Sequence, residues 1–452
     1  MPISDVSPVL KQALEEQMIG TPTVLHDDGT TSPPPMALFI DVNALKENFE
    51  NCKKAFGDGF LHAMAIKANP VSRCIKMAVE AGIGIECASI AEVMHGLRCG
   101  CPEEHIVFDS PVKTRPEIDY ALAHNVHLNI DNWQEMDVVA EAYNKVKDTT
   151  KAVIGVRVNP VVGSGSMAIF STCTATSKFG VTILDDAVRE RFIAKVSSTP
   201  CITCLHVHVG SMGCKLELMA EGVQKTVQLA LDINKRAGFD QITVLDVGGG
   251  LPANVDTEET TPTFEEYVKA LKDVVPEMFP GKGPFKRVIT EFGQAFNCKS
   301  GWIASRVEYD KEVGDETHLP LIHAGADILM RTCYLADMPK HQKRLFVYGS
   351  NGDIKEDDVC LQDIGGPLCF SGDVVAKQRQ LPRANRGDFV VLRDCGANSI
   401  SIFSRHCSRL APPVYGYVVV DGKAQLTIFK ESERVDDILH FFGGESTWPR
   451  QS

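Results

Sequence analysis

The chain has 452 residues, of which 44% are hydrophobic and 23% charged, a balance typical of globular proteins and not of disordered or collagen-like chains. Lys and Arg number 46 and Asp and Glu 59, so the formal net charge is −13, which argues against a nucleic-acid binder or a protein of anionic membranes. Charges or glycines interrupt each longer apolar stretch before it reaches the roughly 18 residues that a membrane span needs.

The first 35 residues are expected to form an N-terminal extension that packs on a later β domain. From there the chain alternates short runs rich in Val and Ile with longer segments of helical periodicity, which predicts a parallel sheet with crossover helices. After a lead-in at Leu38–Val42, eight such units predict a (β/α)8 barrel over residues 36–300. The strand candidates are His62–Ala68, Gly84–Ser89, Ile106–Pro111, His127–Asp131, Ala152–Pro160, Leu205–Gly210, Thr243–Gly250 and Arg287–Gly293.

Beyond residue 300 the helical periodicity fades, and short strand-like runs separated by turn signals predict an all-β domain over residues 301–452. The clearest runs are Leu345–Tyr348, Asp388–Arg393, Val414–Val420 and Gln425–Phe429. The fold expected for the whole chain is therefore α/β, a barrel followed by a β domain.

The 15 cysteines are scattered along the chain and are not packed at short regular spacings, which is typical of reduced intracellular thiols. The N-terminus lacks the charged and then apolar pattern of a secretory signal. These features favour a cytoplasmic location.

Polar residues stand at the predicted C-terminal ends of the barrel strands, where barrels of this kind carry their chemistry. They are Lys67, Glu86, Asp109, Asp131, Arg157, His208, Asp246 and Glu291. A purely structural barrel would have no reason to place them so uniformly, so we expect an active site at this end.

Three of these elements together suit pyridoxal 5′-phosphate (PLP). A desolvated lysine such as Lys67 can form a Schiff base with an aldehyde. Ser211 and the run Gly248–Gly250 follow successive strands and could present backbone N–H groups to a phosphate. A buried carboxylate at Glu291 needs a cationic partner, which a protonated pyridine nitrogen would be.

The motifs around these residues resemble the fold-type III PLP decarboxylases, the group that contains the diaminopimelate, ornithine and arginine decarboxylases. The resemblance covers about residues 36–420 and includes Ser177–Gly180. It implies that Lys67 carries the cofactor, that His208 stacks on its ring and Ser211 binds its phosphate, and that Glu291 pairs with the ring nitrogen. The resemblance also matches Gly248, Gly249 and Gly250 to the family's phosphate loop.

The resemblance extends into the second domain. Gly366–Lys377 resembles the family's catalytic-cysteine motif, so Cys369 is expected to donate the proton that replaces CO2. Members of the family are homodimers with shared active sites, which implies that Cys369 serves the partner's cofactor.

Two phosphate-side residues of the family are replaced here. Where the family has Glu-Pro-Gly-Arg, this chain has Glu291-Phe-Gly293-Gln294, and Gly-Ala-Tyr is replaced by Gly396-Ala397-Asn398. The positions Gly293, Gln294 and Asn398 are expected to face the cofactor, now without the arginine and the tyrosine.

The substrate side is altered as well. The closest subgroup is diaminopimelate decarboxylase, and Arg331 and Tyr334 match positions that hold the distal carboxylate of diaminopimelate. The acidic residue that holds the distal amine in the family is Phe370 here, which cannot pair with an ammonium group. We therefore expect an amino-acid substrate that is anionic or lacks a distal amine.

Two positions keep two interpretations. Glu86 lies where the family has an acidic side chain near the cofactor, and it could tune the ring or cap a loop. His323 replaces an acidic residue of the relatives and could contact substrate or be a plain hydrogen-bonded histidine.

Rival hypotheses remain alongside the decarboxylase. A genuine diaminopimelate decarboxylase of lysine biosynthesis would tolerate Phe370, a racemase would place an arginine instead of Glu291 at the ring nitrogen, and a regulatory relative would have lost catalysis.

Cys204, His206 and His208 share one face of a strand and could in principle bind zinc. Their place on an inner barrel strand favours barrel-lining and cofactor contacts, so no metal is expected.

Overall fold

The chain folds into two compact units. The computed structural model describes residues 5–313, 317–335, 338 and 342–444. The barrel unit comprises Lys46–Ala253 and Thr261–Phe296, and the β unit comprises Met1–Leu45, Asn254–Thr260 and Asn297–Ser452. The β unit is thus assembled from three separate stretches of chain.

The N-terminal elements belong largely to the β unit. They are α1 (Ser7–Glu15), β1 (Val24–Leu25), β2 (Thr31–Ser32), β3 (Met36–Asp41) and α2 (Val42–Phe56). Helix α1 has Pro8 in its first turn, where the missing N–H has no helical partner to lose. Its buried face, with Val9 and Leu10, joins a hydrophobic cluster that includes Phe39 and Trp302. These two rings stack with centroids 4.2 Å apart.

Parallel strands form the barrel, and all eight strand candidates of the sequence are confirmed. They are β4 (Phe60–Ala65), β5 (Gly84–Cys87), β6 (Ile106–Phe108), β7 (His127–Ile130), β8 (Ile154–Asn159), β10 (Ile202–His206), β11 (Val244–Asp246) and β12 (Arg287–Phe292). The ring closes because β10 pairs with β8 and β12 pairs with β4. A short strand, β9 (Val181–Thr182), pairs with β8 outside the ring.

Helices connect the barrel strands, and several begin at a capping residue. Ser89, Asn132, Asp185 and Thr263 each accept a hydrogen bond from the backbone N–H three residues later, which satisfies a donor that the first helical turn leaves open. The helices of this part are α3 (Ser72–Glu80), α4 (Ile90–Arg98), α5 (Arg115–Ala123), α6 (Trp133–Val146), α7 (Asp186–Ser197), α8 (Leu216–Ala237), α9 (Phe264–Val274) and α10 (Gln294–Asn297).

The β unit is built on a mixed sheet. Its remaining elements are β13 (Gly301–Val313), β14 (Thr317–Ile322), α11 (Met330–Tyr334), β15 (Leu345–Tyr348), β16 (Val359–Gly365), β17 (Val374–Pro382), β18 (Phe389–Leu392), β19 (Val414–Val420), β20 (Lys423–Lys430) and α12 (Val435–Phe441). The strand order is β17-β16-β14-β13-β3-β19-β20, and β18 pairs with β13 and β15. The predicted β domain is confirmed, with short helices in addition to its strands.

Within the described residues, no helix combines the length and the apolar character that crossing a bilayer requires.

Candidate active site

Lys67 follows β4 at the C-terminal end of the barrel. Its Nζ lies 2.6 Å from both carboxylate oxygens of Glu86, near the end of the adjacent strand β5. The Glu86 side chain is fully buried, whereas the Lys67 side chain is 48% exposed although protein groups surround it. The amine is therefore anchored by an ion pair and still open to an incoming aldehyde.

The charges around Lys67 favour its protonated form. Burial acts to lower the pKa of Lys67, but the carboxylates of Glu86, Asp109 and Glu291 outweigh it and leave the pKa above its usual range. Burial raises the pKa of Glu86 to about 8, against the attraction of Lys67. The contact that the structure shows for Glu86 is this ion pair with Lys67, and the choice between tuning the ring and capping a loop stays a prediction.

Glu291, one residue before the end of β12, is a buried carboxylate that lacks a hydrogen-bond donor. Neither of its side-chain oxygens has a hydrogen-bond partner within the described part of the chain. Burial acts to raise the pKa of Glu291, but His206, Lys67 and His208 hold it well below its usual range. A buried carboxylate that is ionised and accepts no hydrogen bond is costly in free energy unless a cationic hydrogen-bond donor reaches it.

His206, the last residue of β10, lies between two carboxylates. Its Nδ1 is 3.3 Å from Asp109 Oδ1, and its Nε2 is 3.6 Å from Glu291 Oε2. All three side chains are buried. Burial acts to lower the pKa of His206, but Asp109, Asp246 and Glu291 raise it to about 9.

A second polar chain crosses the barrel interior. His127 Nε2 lies 2.9 Å from Asn129 Oδ1, and Asn129 Nδ2 donates to Asp246 Oδ2 over 3.0 Å. The other Asp246 oxygen accepts from the Gly248 N–H. This chain ties the middle strands of the barrel to the start of the glycine run.

The glycine run wraps around His208. The Gly249 N–H donates to His208 Nδ1 over 3.2 Å, so that nitrogen is an acceptor. Burial, together with Arg157 and Lys67, lowers the pKa of His208 well below its usual range. The ring is thereby held neutral in one orientation, as a group that stacks on a cofactor would require.

The glycines are required by close backbone approach. A Cβ on Gly249 would lie 1.8 Å from Glu291 O, and one on Gly250 would lie 1.8 Å from Gly210 O. The first two N–H groups of the run donate within the protein, to Asp246 and His208. Within the described residues, no hydrogen bond uses the Gly250 N–H, so it is the member of the run that best suits a phosphate.

At Ser211 the side chain is available for a ligand, whereas the backbone N–H is already used within the protein. Its N–H already donates to Phe170 O over 3.0 Å, and the adjacent Gly210 forms a β-bridge with Ser171. The Ser211 side chain is partly exposed. A phosphate contact by Ser211 would therefore come from Oγ.

The replaced phosphate-side residues lie in two different elements. A Cβ on Gly293 would lie 2.9 Å from the Ala68 Cβ, so only glycine avoids that contact. Gln294 is the first residue of α10, and its buried Oε1 has no hydrogen-bond partner among the described residues. Asn398, in the β unit, has φ of 53°, a left-handed conformation that asparagine tolerates better than most residues.

In the β unit, Cys369 lies on the loop of residues 366–373, which joins β16 to β17 and is called here the cysteine loop. Asp373 closes it: its Oδ2 accepts from the Leu368 N–H and its Oδ1 from the Ala326 N–H, both over 2.6 Å. The Cys369 thiol is exposed. The loop thus presents a reactive side chain on a fixed backbone.

An aromatic pair accompanies the cysteine. Phe370 and Tyr334 stack with centroids 5.1 Å apart and planes 17° apart, and Tyr334 is 61% exposed. Arg331, one turn before Tyr334 on α11, is partly buried, which lowers the pKa of its guanidinium. The residues expected at the substrate side are therefore neighbours within the β unit.

His323 makes a protein contact in this structure. Its Nε2 lies 3.2 Å from Glu308 Oε2, and burial lowers its pKa. The contact is that of a hydrogen-bonded histidine, and a contact of His323 with substrate stays a prediction.

The zinc interpretation finds no support among the described residues. Cys204 packs in the barrel's apolar cluster, His206 faces Asp109 and Glu291, and His208 accepts from the glycine run. The three donors do not form a ligand set of their own.

The role of His206 and the pairings of Asp109 and Arg157 could not be predicted from the sequence. Arg157 Nη1 lies 4.0 Å from Asp109 Oδ2, and its guanidinium carbon lies 4.4 Å from the centre of the Phe179 ring. The sequence does show that Asp109 and Arg157 lie at strand ends. It does not show which side chain from another strand each of them contacts inside the barrel.

The barrel end fits PLP on its own geometry. An exposed amine at Lys67, an ionised carboxylate at Glu291 that has no hydrogen-bond donor among the described residues, and a glycine run beside a neutral His208 are the three parts such a cofactor needs. The carboxylate is the most telling part, because the pyridinium N–H supplies the donor that it lacks.

Comparison with known proteins agrees with this geometry. A family model described as "Pyridoxal-dependent decarboxylase, pyridoxal binding domain" matches residues 42–298, more than half of the chain. That range includes each of the barrel-end residues described above.

Similar proteins cover nearly the whole chain. A diaminopimelate decarboxylase of Aquifex aeolicus is 28% identical over 403 residues, which are 88% of this chain and 89% of that protein. One of Helicobacter pylori is 28% identical over 412 residues, with 90% and 95% covered. The crystal structure of diaminopimelate decarboxylase from Helicobacter pylori complexed with L-lysine has a TM-score of 0.76 at 24% identity, covering 90% of this chain and 96% of that one, and so shares the fold.

Proposed function

The chain belongs to the family of pyridoxal-dependent decarboxylases, and from this premise we propose that it removes the α-carboxyl group of an amino acid that lacks a distal amine. The observation that carries the reaction class is the pairing, at one barrel end, of the accessible Lys67 amine with the buried carboxylate of Glu291. The observation that carries the substrate class is the aromatic pair Phe370–Tyr334 beside Cys369.

When bound, PLP supplies an electron-accepting ring that takes up the electrons left by CO2. Lys67 would hold the cofactor through its amine. Glu291 would accept the hydrogen bond of the ring nitrogen and so favour the protonated form of that nitrogen. His208, fixed by the Gly249 N–H, would support the face of the ring.

Cys369 is proposed to return a proton to the α-carbon. Its thiol is exposed on the cysteine loop, in which Asp373 accepts a hydrogen bond from the Leu368 N–H and a second one from the Ala326 N–H outside the loop. A donor at a fixed place speeds the return of a proton to the carbon that loses CO2, and a closed loop provides such a place.

The substrate proposal follows from the neighbours of Cys369. Phe370 brings an apolar ring where an ammonium group would need a carboxylate, and an unpaired buried charge costs several kcal/mol. Arg331 and Tyr334 still offer polar contacts on the same unit. These residues suit a side chain that is apolar or carries a carboxylate.

The test measures CO2 release by the PLP-saturated protein from the L- and D-enantiomers of acidic, neutral and basic amino acids. We expect turnover of a substrate without a distal amine and little of diaminopimelate. The variant Phe370→Glu should raise diaminopimelate turnover and lower that of the preferred substrate, because it restores the missing carboxylate. Phe370→Leu is the matched control, since it removes the aromatic ring without adding charge.

A genuine diaminopimelate decarboxylase is the second candidate, favoured by the names of the similar proteins and by Arg331 and Tyr334. Wild-type turnover of diaminopimelate at a biosynthetic rate, unimproved by Phe370→Glu, would establish it and overturn the substrate proposal. CO2 release from no member of the panel, with PLP bound, would favour a regulatory relative. A racemase is disfavoured because Glu291, an acid, faces the ring-nitrogen position.

A further inference from the structure

The imidazole of His206 has a carboxylate at each of its two nitrogens, inside the barrel. Asp109 follows β6, three strands from β10 in one direction around the ring, and Glu291 lies on β12, two strands from β10 in the other direction. The imidazole thus lies between carboxylates from two separate strands, 3.3 Å from one and 3.6 Å from the other.

This arrangement needs the cationic form of the ring. A neutral imidazole has one N–H and one lone pair, so it would turn its lone pair toward one of the two carboxylates. An imidazolium carries an N–H on both nitrogens and so presents a proton and positive charge to each carboxylate. Both His206 nitrogens and both Glu291 oxygens are buried and have no hydrogen-bond partner among the described residues, so no other protein group in that part of the chain satisfies them.

The remaining charged groups around His206 are of both signs. Asp246, its register partner on β11, is the third carboxylate that faces it. His127 on β7 and His208 beyond β10 are kept neutral, since burial lowers the pKa of each. The other cations of the barrel end are paired, Lys67 with Glu86 and Arg157 with Asp109.

We propose that His206 is a positioning residue for the cofactor. Its imidazolium keeps Glu291 ionised and aimed at the ring nitrogen. Without it, Glu291 would be a fully desolvated acid close to Glu86, Asp109 and Asp246, and such an acid takes up a proton. A protonated Glu291 no longer offers the charge that keeps a pyridine nitrogen protonated. The inference rests on the cofactor of the proposed function and not on its substrate.

The test is the variant His206→Gln, which keeps a polar side chain but cannot carry charge. His62→Gln is the control, because His62 is also buried in the barrel wall but contacts Thr290 and no carboxylate. We expect His206→Gln to weaken PLP binding by roughly 10- to 100-fold, the usual cost of losing a partner that orients a ligand. With 15N-labelled PLP, the pyridine nitrogen signal should move toward the unprotonated position in His206→Gln alone.

The apoprotein gives a second readout that needs neither substrate nor turnover. In 15N-histidine spectra, His206 should carry both ring protons across neutral pH, and Asp109→Asn should lower the pH at which it titrates. His206 that titrates near its ordinary pKa of 6.5, or His206→Gln that binds PLP with wild-type affinity and an unmoved pyridine signal, would overturn the proposal. Because these readouts precede catalysis, they separate its failure from a failure of the proposed substrate.

Discussion

At the scale of single residues, the pH dependence of cofactor capture depends on Lys67. Only the neutral amine attacks an aldehyde, and the carboxylates around Lys67 raise its pKa despite burial. We therefore expect the rate of PLP capture by the apoprotein to rise with pH across the neutral range. In Glu86→Gln the pKa of Lys67 falls, so the rise should move to lower pH.

Stopped-flow absorbance at a series of pH values measures this capture. Lys53→Gln is a suitable control, because Lys53 lies on α2 and donates to Ala81 O, away from the Lys67–Glu86 pair. Superimposable profiles for wild type and Glu86→Gln would show that Glu86 does not set the proton affinity of Lys67.

The residues that could be predicted from the sequence are those whose role is local. Lys67 and Glu291 were recognisable because each lies close to the C-terminal end of a strand that the apolar pattern reveals. His206 was considered only as a metal ligand beside Cys204 and His208, its neighbours in the chain. Its actual partners, Asp109 and Glu291, are separated from it by 97 and 85 positions, and no periodicity reports such pairs.

At the scale of elements, the glycine run should tolerate no side chain. Gly250 has φ of 90° and a Cβ there would meet Gly210 O, whereas Gly238 at the end of α8 has φ of 82° and open space around it. Gly238→Ala should cost about 1 kcal/mol of unfolding free energy for backbone strain alone. Gly250→Ala should cost at least about 2 kcal/mol more, because overpacking adds to that strain.

Urea unfolding of the two apoprotein variants compares these costs, and PLP titration shows whether the loop has shifted. Equal losses of stability would mean that the loop moves away from Gly210 without resistance. In that case the close approach would not be what requires glycine at position 250.

The cysteine loop gives a second prediction at this scale. Asp373→Ala removes the acceptor of two N–H groups, so the loop should open and its amides should exchange faster with solvent, at a cost of about 1–3 kcal/mol. Asp363→Ala is the control in the same hairpin, because Asp363 accepts one exposed N–H, from Gln378. Unchanged exchange at residues 366–373 in Asp373→Ala would show that the loop is held by other contacts.

The strands that escaped prediction have a common physical cause. Gln362 lies in the middle of β16 as a fully buried residue and is satisfied by the carbonyls of Leu381 and Pro382. A polar residue at a core position breaks the apolar pattern that marks a strand. β13 is buried along its first half and exposed along its second, so no single periodicity describes it.

At the scale of the whole molecule, the sequence leads us to expect a homodimer in which Cys369 completes the partner's site. Lys67→Ala and Cys369→Ala should each abolish CO2 release. Mixed and re-associated, they should recover roughly a quarter of wild-type activity, since half of the dimers are hybrids with one intact site. Light scattering gives the mass, and a mixture that stays inactive although hybrids form would place both residues in the same subunit's site.

The strand order of the β unit has a consequence for folding while the chain is being synthesised. Strand β3 lies between β13 and β19, yet it leaves the ribosome some 260 residues before the first of these neighbours. The whole barrel is made in that interval, so β3 must wait with both hydrogen-bonding edges unpaired and open to aggregation. A shortened product that starts after Asp41 would lack the strand that joins the two halves of this sheet, whereas the barrel segment retains all eight of its strands. Expression trials on fragments of this chain should therefore preserve its first 41 residues.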